Sequence, residues 1–528
     1  MNNKKLIGIS LAAAVALTAM SCDRDKFLDV NTNPNSPTAV TMPVLLTSTV
    51  INTGFMAVND LGRTTSLLSQ QYAGIGNQPA QYDTYILRGS FDNQWNFELY
   101  GGTLINAQTL IDLANTKGSP AYSGIAKLLK AYNFAVVTDL YGDVPYSQAL
   151  LGNANLRPRY DKQEDIYKGN AALGIQGLIA LVQDGLADLD KTSASKPGPG
   201  DDPVYGKNRI TGAANTANVA NWKKMGNTLL LKLANTISKK EPALAASIIN
   251  PSAQLAFAGN DDDFEVPFGS ATGNQNPLYN YNFVTRPDDQ MLSQTILDVM
   301  AASNDPRLPI YYTTTQAAPE VSNSSRTTTT VGTFTGYVNG SGFVVPARIP
   351  VGSNPALTNR SRYNAYLRGG GGDAPARLLT NAQRLFILAE SALNLPGFNP
   401  TGVTGTAQSF YQAAIRASMT KAGITDATIT AYFAANPTVA TLSTNSAAAL
   451  EQIITQKWVA SAGNGLEAYN DLRRTTFPKL APVLNAAGDD RTLPQRLPYP
   501  LSELNANVGA ENQNTGLSTS EKVWWAKP

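Results

Sequence analysis

The sequence predicts a mainly α-helical protein, because apolar residues recur along it at three- and four-residue steps. This spacing runs from Ile125 to Val136 and again from Trp222 to Ile237, and it places the apolar side chains on one face of a helix. The same pattern returns from Leu378 to Leu393, from Ala407 to Ser418 and from Leu450 to Trp458. We therefore expect long amphipathic helices joined by irregular segments, with few short strands.

Small residues on these apolar faces indicate how the helices pair. Ala382, Ala389, Ala407 and Ala414 stand where one helix can approach its neighbour closely, which resembles the helix pairs of tetratricopeptide proteins. The sequence has no strict period of about 34 residues, as an open array of such repeats would have. We expect degenerate helix pairs inside one globular body.

Two long stretches, residues 190–218 and 312–375, have little periodicity. The first contains the run from Lys196 to Gly200, and the second contains a Ser/Thr run and the glycines from Gly369 to Gly372. Loops of this length in a compact domain are usually functional or disordered. We expect them to be binding loops carried by the helical scaffold.

The amino terminus has the pattern of a secretory signal, which we assign to residues 1–21. Two lysines precede an apolar run from Leu6 to Ala19, and a small residue, Ser21, precedes Cys22, the only cysteine of the 528 residues. The run is shorter than the roughly 20 residues of a membrane-spanning helix. A signal that ends at a lone cysteine resembles the bacterial lipoprotein pattern, which implies that Cys22 is acylated and anchors the chain to the outer membrane.

The residues after Cys22 suggest how the anchored chain is presented. The charged run from Asp23 to Lys26 resembles the export signal of Bacteroidetes surface lipoproteins, which implies a position facing the cell exterior. Asn, Pro, Ser and Thr then dominate as far as residue 42. We interpret residues 22–42 as a tether and residues 43–528 as the folded domain.

Composition excludes several classes of function. The chain has no histidine, so neither a Ser-His-Asp nor a Cys-His nucleophile can be assembled, and a zinc site of His and Cys ligands is excluded as well. Lys and Arg number 41 against 39 Asp and Glu, which gives no electrostatic reason to expect nucleic acid as a partner. Paired carboxylates, Lys, Tyr or an oxygen-bound metal remain open to catalysis.

One segment after a predicted helix is distinctive. In Thr138–Ser147, Gly142 and Pro145 end the helix, and Tyr141 and Tyr146 can pack beneath the turn. This segment closely resembles the signature of SusD/RagB-type lipoproteins. Further segments resemble that family in the same order along the chain: Trp222–Leu233, Asp305–Leu308, Ala389–Ala392, Gln456–Val459, Glu467–Arg474, Arg496–Pro500 and Val523–Trp525.

The resemblance covers nearly the whole mature chain and implies a mainly α, single SusD-like domain with tetratricopeptide-like helix pairs. It implies a non-enzymatic outer-membrane protein without a cofactor, which captures a nutrient and passes it to a SusC-like TonB-dependent transporter. Oligosaccharide is the ligand we favour, and a peptide is the alternative. We expect eight residues of the family segments to be structural: Asp139, Tyr141, Asp143, Tyr146, Asp471, Arg473, Arg474 and Tyr499.

Ligand residues are predicted in the aromatic-rich stretch 72–100. Sugars present apolar C–H faces to aromatic rings and hydroxyls to Asn, Asp and Arg side chains, and this stretch supplies both kinds of residue. By resemblance to the founding glycan binders of the family, Trp95 and Asn96 hold the sugar, with Arg88 or Arg63 as the upstream arginine. We add Tyr82 and Tyr85 to this set. The alternative for Trp95 and Tyr100 is a buried stripe on a helix from about Asn93 to Ala114.

A second platform is predicted from Pro277 to Phe283, where Tyr279 and Tyr281 would lie on one side of an extended segment. Ordinary loop packing is the alternative there. The acidic run Asp261–Asp263 with Glu265 has the oxygen ligands of a calcium site, but it lacks a spaced loop pattern, so we predict no metal.

Two competing functions remain open from the sequence. A glycosidase would need two of the helical glutamates, Glu98, Glu390, Glu451 and Glu467, in one cleft. A structural partner would stabilise the transporter without binding ligand itself.

Overall fold

Helices with one apolar face build most of the protein, as the computed structural model shows. It describes residues 40–207, 212–314, 328–331, 334–341, 360–508 and 518–527. The predicted signal peptide, Cys22 and most of the predicted tether lie outside the described residues.

In the first half of the chain, the described residues form seven α-helices and one π-helix. Their bounds are α1 Met42–Val58, α2 Asp60–Leu68, α3 Asn77–Asp83, the first π-helix Gln94–Leu104, α4 Ile105–Thr116, α5 Pro120–Tyr141, α6 Gln163–Lys168 and α7 Leu178–Asp190. The helix predicted from Asn93 to Ala114 is thus present, but its first part has the wider π-helical turn.

The middle of the chain alternates long and very short helices. They are α8 Asn218–Ile237, α9 Pro242–Ser252, α10 Pro277–Tyr279, the second π-helix Asn280–Thr285, α11 Gln294–Ala302, α12 Leu308–Tyr311 and α13 Ala365–Arg368. The carboxy-terminal part returns to longer helices: α14 Asn381–Asn394, α15 Ala407–Lys421, α16 Asp426–Ala435, α17 Pro437–Ala440, α18 Ser446–Ala460, α19 Gly465–Thr475 and α20 Leu501–Ala506.

Neighbouring helices pack in pairs, which confirms the predicted tetratricopeptide-like architecture. α4 packs on α5, α8 on α9, α14 on α15, and α18 on α19. Helices α5 and α7 approach each other closely, because a Cβ on Gly124 would lie 2.6 Å from the Gly185 carbonyl oxygen. Only glycine permits that contact, so the two backbones touch.

Within the described ranges, eight short strands form four antiparallel pairs. They are β1 Tyr72–Gly74 with β5 Gln290–Leu292, β2 Val144–Pro145 with β3 Tyr160–Asp161, β4 Phe264–Val266 with β8 Ala376–Leu379, and β6 Thr328–Val331 with β7 Phe334–Tyr337. Leu378, which the periodicity assigned to a helix, lies on β8. Helix α14 begins after it because the Thr380 side chain accepts a hydrogen bond from Gln383 N and caps the helix.

Three tryptophans are fully buried, and each indole N–H is satisfied. Trp222 donates to Asp202, Trp458 to the Ser69 carbonyl, and Trp525 to Asp139. The predicted helix stop after α5 is confirmed, because Gly142 has a positive φ of 81°.

Candidate functional site

The segment that carries Tyr279 and Tyr281 is helical, so the predicted extended conformation is wrong. The Asn276 side chain accepts a hydrogen bond from Leu278 N, and Pro277 occupies the first turn. Both features start a helix. Because α10 continues directly into the second π-helix, residues two positions apart point to different sides. Tyr279 and Tyr281 therefore face different neighbours.

On one side, Tyr279 forms an aromatic face with Phe283. The two half-buried rings stack with centroids 5.7 Å apart and an interplanar angle of 14°. The guanidinium carbons of Arg362 and Arg368 lie 3.9 Å and 4.5 Å from the centroid of the Phe283 ring. Cations are attracted to the face of an aromatic ring. We call Tyr279, Phe283, Arg362 and Arg368 the arginine–aromatic cluster.

On the other side, Tyr281 stacks on Arg63 of α2. The Arg63 guanidinium carbon lies 3.3 Å from the Tyr281 ring centroid, and Nη2 donates to Asp60 at 2.5 Å. Its Nε and Nη1 make no hydrogen bond within the described part of the chain, although Arg63 is only 7% exposed. A buried donor without a partner costs free energy, so this guanidinium has unused capacity to bind an acceptor.

A polar bridge holds the same segment to α3. The Tyr281 hydroxyl donates to Asp289 Oδ2 at 3.1 Å, and Asn77 Nδ2 donates to Asp289 Oδ1 at 2.6 Å. Arg360 pairs with Asp288 at 3.0 Å beside them. Half-buried rings, guanidinium groups, a carboxylate and an amide are thus gathered around one short helical segment, and they match the mixed apolar and hydroxyl surface of a sugar.

Trp95 and Asn96 lie in a different place, on the first π-helix. Trp95 is 2% exposed, packs against Tyr100, Tyr141 and Tyr499, and donates from Nε1 to Glu503 at 3.2 Å. The Asn96 amide donates to the Ser502 hydroxyl at 2.8 Å. The alternative of a buried stripe thus describes Trp95, although both residues border a groove of about 370 Å³.

The other residues of stretch 72–100 are also dispersed. Tyr82 is buried and stacks on Phe91 with centroids 5.6 Å apart. Tyr85 is buried and borders a separate groove beneath the turn that follows α19. Arg88 reaches the surface and forms a two-point ion pair with Asp489. The structure therefore does not bring these three residues to the arginine–aromatic cluster.

Arg362 and Arg368 were missed by the sequence reasoning, although they lie on the predicted binding loop 312–375. They stand about 80 residues after Phe283, and no local pattern indicates that they share its ring. Phe283 lies inside the segment predicted as the second platform. Arg63 is one of the two residues predicted as the upstream arginine.

Three of the four acidic residues considered for calcium, all but the exposed Asp261, are paired with cations. Asp262 faces Lys224, Asp263 faces Lys421, and Glu265 faces both Arg377 and Lys421. Within the described ranges no group of three or more His, Cys, Asp or Glu side chains is placed to hold a metal ion. These contacts occupy the carboxylates that a calcium ion would need.

The glutamates considered for glycosidase chemistry lie in separate surroundings. Glu390 binds Arg474, Glu467 pairs with Lys232, and Glu451 pairs with Lys479. Burial raises the pKa of Glu98 to about 7, and that carboxylate accepts a hydrogen bond from Asn59. No two of these carboxylates line one of the described grooves together.

The chain is similar to one family over most of its length. Residues 34–500 match a SusD-like family model described as "Starch-binding associating with outer membrane". No curated protein matches the sequence. Among the described residues, none of the helices has the length and apolar character needed to span a bilayer.

Solved structures with the same fold include three that cover 92% of this chain. A chitin-binding protein is 23% identical with a TM-score of 0.72, and the match covers 100% of that protein. A SusD homolog from Bacteroides uniformis is 24% identical with a TM-score of 0.70 over 99% of its length. A chitin-binding SusD homolog from Flavobacterium johnsoniae is 22% identical with a TM-score of 0.69 over 98% of its length. At this level of identity the similarity shows the fold.

Proposed function

Because the chain belongs to the SusD-like family, which is described as starch-binding and associating with the outer membrane, we propose that it is a non-enzymatic surface lipoprotein that captures an oligosaccharide. In this proposal it delivers the sugar to a SusC-like TonB-dependent transporter. Acylated Cys22 anchors it, with residues 1–21 removed as signal peptide, residues 22–42 as tether and residues 43–528 as the binding domain.

The observation that carries the ligand proposal is the pair of stacked, half-buried rings of Tyr279 and Phe283 flanked by guanidinium groups. Aromatic faces of this kind accept the C–H face of a sugar ring, and the neighbouring arginines and Asn77 can bind its hydroxyls. Two proteins with the same fold are named as chitin-binding, which supports a carbohydrate over a peptide.

We assign the ligand-binding roles unequally among the predicted residues. Tyr279 and Tyr281 are proposed to contact the sugar, with Arg63 beneath Tyr281. Asn96 and the rim of Trp95 are proposed as a second surface, because they border the groove next to Glu503. Tyr82, Tyr85 and Arg88 remain predicted contacts, and their burial or ion pairing gives them less to offer a ligand.

Tyr279→Ala tests which surface binds the ligand. We expect oligosaccharide binding to weaken by about tenfold, or ~1.4 kcal/mol, because the stacking platform is lost. Isothermal titration with a panel of oligosaccharides and peptides gives the measurement. Asn96→Ala probes the other surface and is preferable to Trp95→Ala, which would remove a packed core side chain.

A matched control exists outside the proposed site. Phe433 on α16 is half-buried and stacks under Arg416 with 5.1 Å from guanidinium carbon to ring centroid. Phe433→Ala should leave the dissociation constant unchanged. Binding that survives both Tyr279→Ala and Asn96→Ala would refute the assignment, and a protein that binds peptides but no oligosaccharide would refute the ligand class.

A further inference from the structure

Two arginines share one aromatic ring, and neither has a carboxylate partner in the described chain. Arg362 and Arg368 both lie on Phe283. Arg368 donates from Nε to the Tyr363 carbonyl and from Nη1 to the carbonyls of Gly369 and Gly370, at 3.0, 2.7 and 3.3 Å. Among the described residues, Arg362 Nε and Nη2 find no hydrogen-bond partner, although Arg362 is only 9% exposed.

Two other buried arginines of this chain face carboxylates. Arg307 faces Asp305 through two nitrogens, and Arg474 faces both Glu390 and Asp471. A buried charge without a counter-charge is costly, so pairing is the usual arrangement. Arg362 therefore differs from Arg307 and Arg474, and also from buried Arg473, whose Nε, Nη1 and Nη2 all donate hydrogen bonds.

The electrostatic surroundings add to that cost. Burial, the largest cause, and the neighbouring charge of Arg368 lower the pKa of Arg362, and Tyr72 and Asp288 offset part of this shift. Arg360 lies close by, and its partner Asp288 has a side chain that is 63% exposed. Asp289, which follows Asp288 in the chain, already accepts from Asn77 and Tyr281. An incoming anion would relieve the repulsion between these guanidinium groups.

We propose that the arginine–aromatic cluster binds the acidic group, a carboxylate or a sulfate, of an acidic oligosaccharide. This inference rests on the proposed function and names the substrate class of the same site. A neutral hydroxyl accepts a hydrogen bond but leaves the charge uncompensated, whereas a carboxylate presents two oxygens to the forked donors of arginine. Tyr279, stacked on Phe283, then lies where it can contact the sugar ring that carries the acid.

The test compares ligands that differ only in charge. Oligogalacturonate is titrated against its methyl ester, and desulfated and carboxyl-reduced chondroitin oligosaccharides are titrated against their native forms, which separates carboxylate from sulfate. We expect at least one acidic form to bind about tenfold more tightly than its neutral counterpart. Added salt should reduce that preference, because the half-buried Arg368 and the incoming anion remain in contact with solvent ions that screen their attraction.

Variants then locate the preference on the cluster. Arg362→Gln should reduce the ratio of acidic to neutral affinity to about one. Arg368→Gln should reduce that ratio several-fold, and because Arg368 is only half-buried, this substitution should disturb folding less. Thermal melting of both variants checks that they fold. Arg416→Gln is the matched control, because this arginine also lies over a phenylalanine but away from the site.

The outcomes separate this inference from the proposed function. Neutral oligosaccharides that bind at least as tightly as every acidic one would overturn the inference and leave the proposed function standing. An acid preference that Arg362→Gln and Arg368→Gln both leave intact would overturn the assignment to this cluster. Failure to bind any oligosaccharide, with acidic peptides binding instead, would overturn both.

Discussion

Asp139 joins four distant parts of the chain through one carboxylate. Its Oδ1 accepts from the Tyr167 hydroxyl at 2.6 Å and from Trp525 Nε1 at 2.9 Å, and its Oδ2 accepts from Asn470 Nδ2 at 3.0 Å. Lys232 lies 3.5 Å from Oδ2. A charge-assisted network of this kind is worth more than its separate bonds. It fixes α6, α8, α19 and the carboxy-terminal segment around the end of α5.

The neighbouring family residues play the same structural part, as their residue types predicted. Tyr146 donates to the Gln176 carbonyl, and Tyr499 donates to the Asp143 carbonyl at the end of α5. Arg473 donates from Nη1 to the Asp139 carbonyl at 2.7 Å. These residues identify the fold because they hold it together, and for that reason they say little about the ligand.

Asp83 is a second buried carboxylate, and it holds a loop without help from a cation. It accepts from Asn339 Nδ2 at 2.5 Å and from Gly340 N at 2.6 Å, and Asn339 also donates to the Tyr72 carbonyl. Burial raises the pKa of Asp83 to about 7. The folded state therefore retains a proton that the unfolded chain releases near the ordinary value of 3.8.

This raised pKa predicts how stability depends on pH. The stability that protonated Asp83 contributes is complete below about pH 4 and is lost as the pH rises to about 7. In Asp83→Asn the free energy of unfolding should fall less steeply over that range, by up to about 1.4 kcal/mol per pH unit. Urea unfolding at a series of pH values gives the slope.

The control for this prediction is Asp489→Asn. The carboxylate of Asp489 accepts hydrogen bonds from Thr519 and Arg88, and these lower its pKa, so its titration lies outside the window above pH 4. That variant should keep the wild-type slope. Equal slopes for the wild type and Asp83→Asn would contradict the role assigned to Asp83.

At the scale of elements, the position of α1 depends on one close contact with a strand. A Cβ on Gly54 would lie 2.4 Å from the Cβ of Val266 on β4, which is closer than two side chains can approach. The backbone of helix α1 at Gly54 thus packs directly against the Val266 side chain of the β4–β8 pair. Any substitution at Gly54 must push them apart.

Gly54→Ala should lower the free energy of unfolding by about 1–2 kcal/mol, since the overpacking outweighs the gain of alanine in helix propensity. Chemical denaturation measures the change. Gly259→Ala is the control, because nothing lies within 4 Å of its Cβ position and its φ of −161° suits any residue. A Gly54→Ala protein as stable as the wild type would show that α1 can move freely against β4.

The helices could be predicted because the apolar periodicity that indicates them is local in the sequence. The candidate site could be predicted only in part. Apolar periodicity between Ile125 and Val136 reports the face of α5 that packs, whatever it packs against. A π-helical turn has no comparable periodic pattern in the sequence, so the predicted extended conformation of Tyr279 and Tyr281 is wrong. The contact between Phe283 and Arg362 depends on how a loop distant in sequence folds back onto the second π-helix. The local sequence around either residue does not indicate this contact.

At the scale of the whole molecule, the proposed binding surface and the proposed membrane anchor are far apart along the chain. The arginine–aromatic cluster is built from the middle of the chain, and the described structure begins just before α1 at Met42. The 21 residues from Cys22 to Met42 can span at most about 70 Å. That reach allows a tethered domain to move away from a transporter and return to it.

Tethering changes how tightly the domain needs to bind. A domain held near the transporter meets it at a high effective concentration, so a weak contact between the two proteins suffices for delivery. The same domain released into the medium loses that advantage. The proposed anchor is therefore expected to contribute to uptake, in addition to fixing the location of the protein.

Cys22→Ala, exported in soluble form, tests this role directly. We expect the soluble protein to bind oligosaccharide with the wild-type dissociation constant, because the cluster around Phe283 is untouched, while growth on a limiting supply of that sugar falls several-fold. Growth rate and titration are measured on the same variant, and restoring growth by overproducing the soluble protein would confirm a concentration effect. Uptake equal to that of the anchored protein at equal abundance would show that the tether serves location alone.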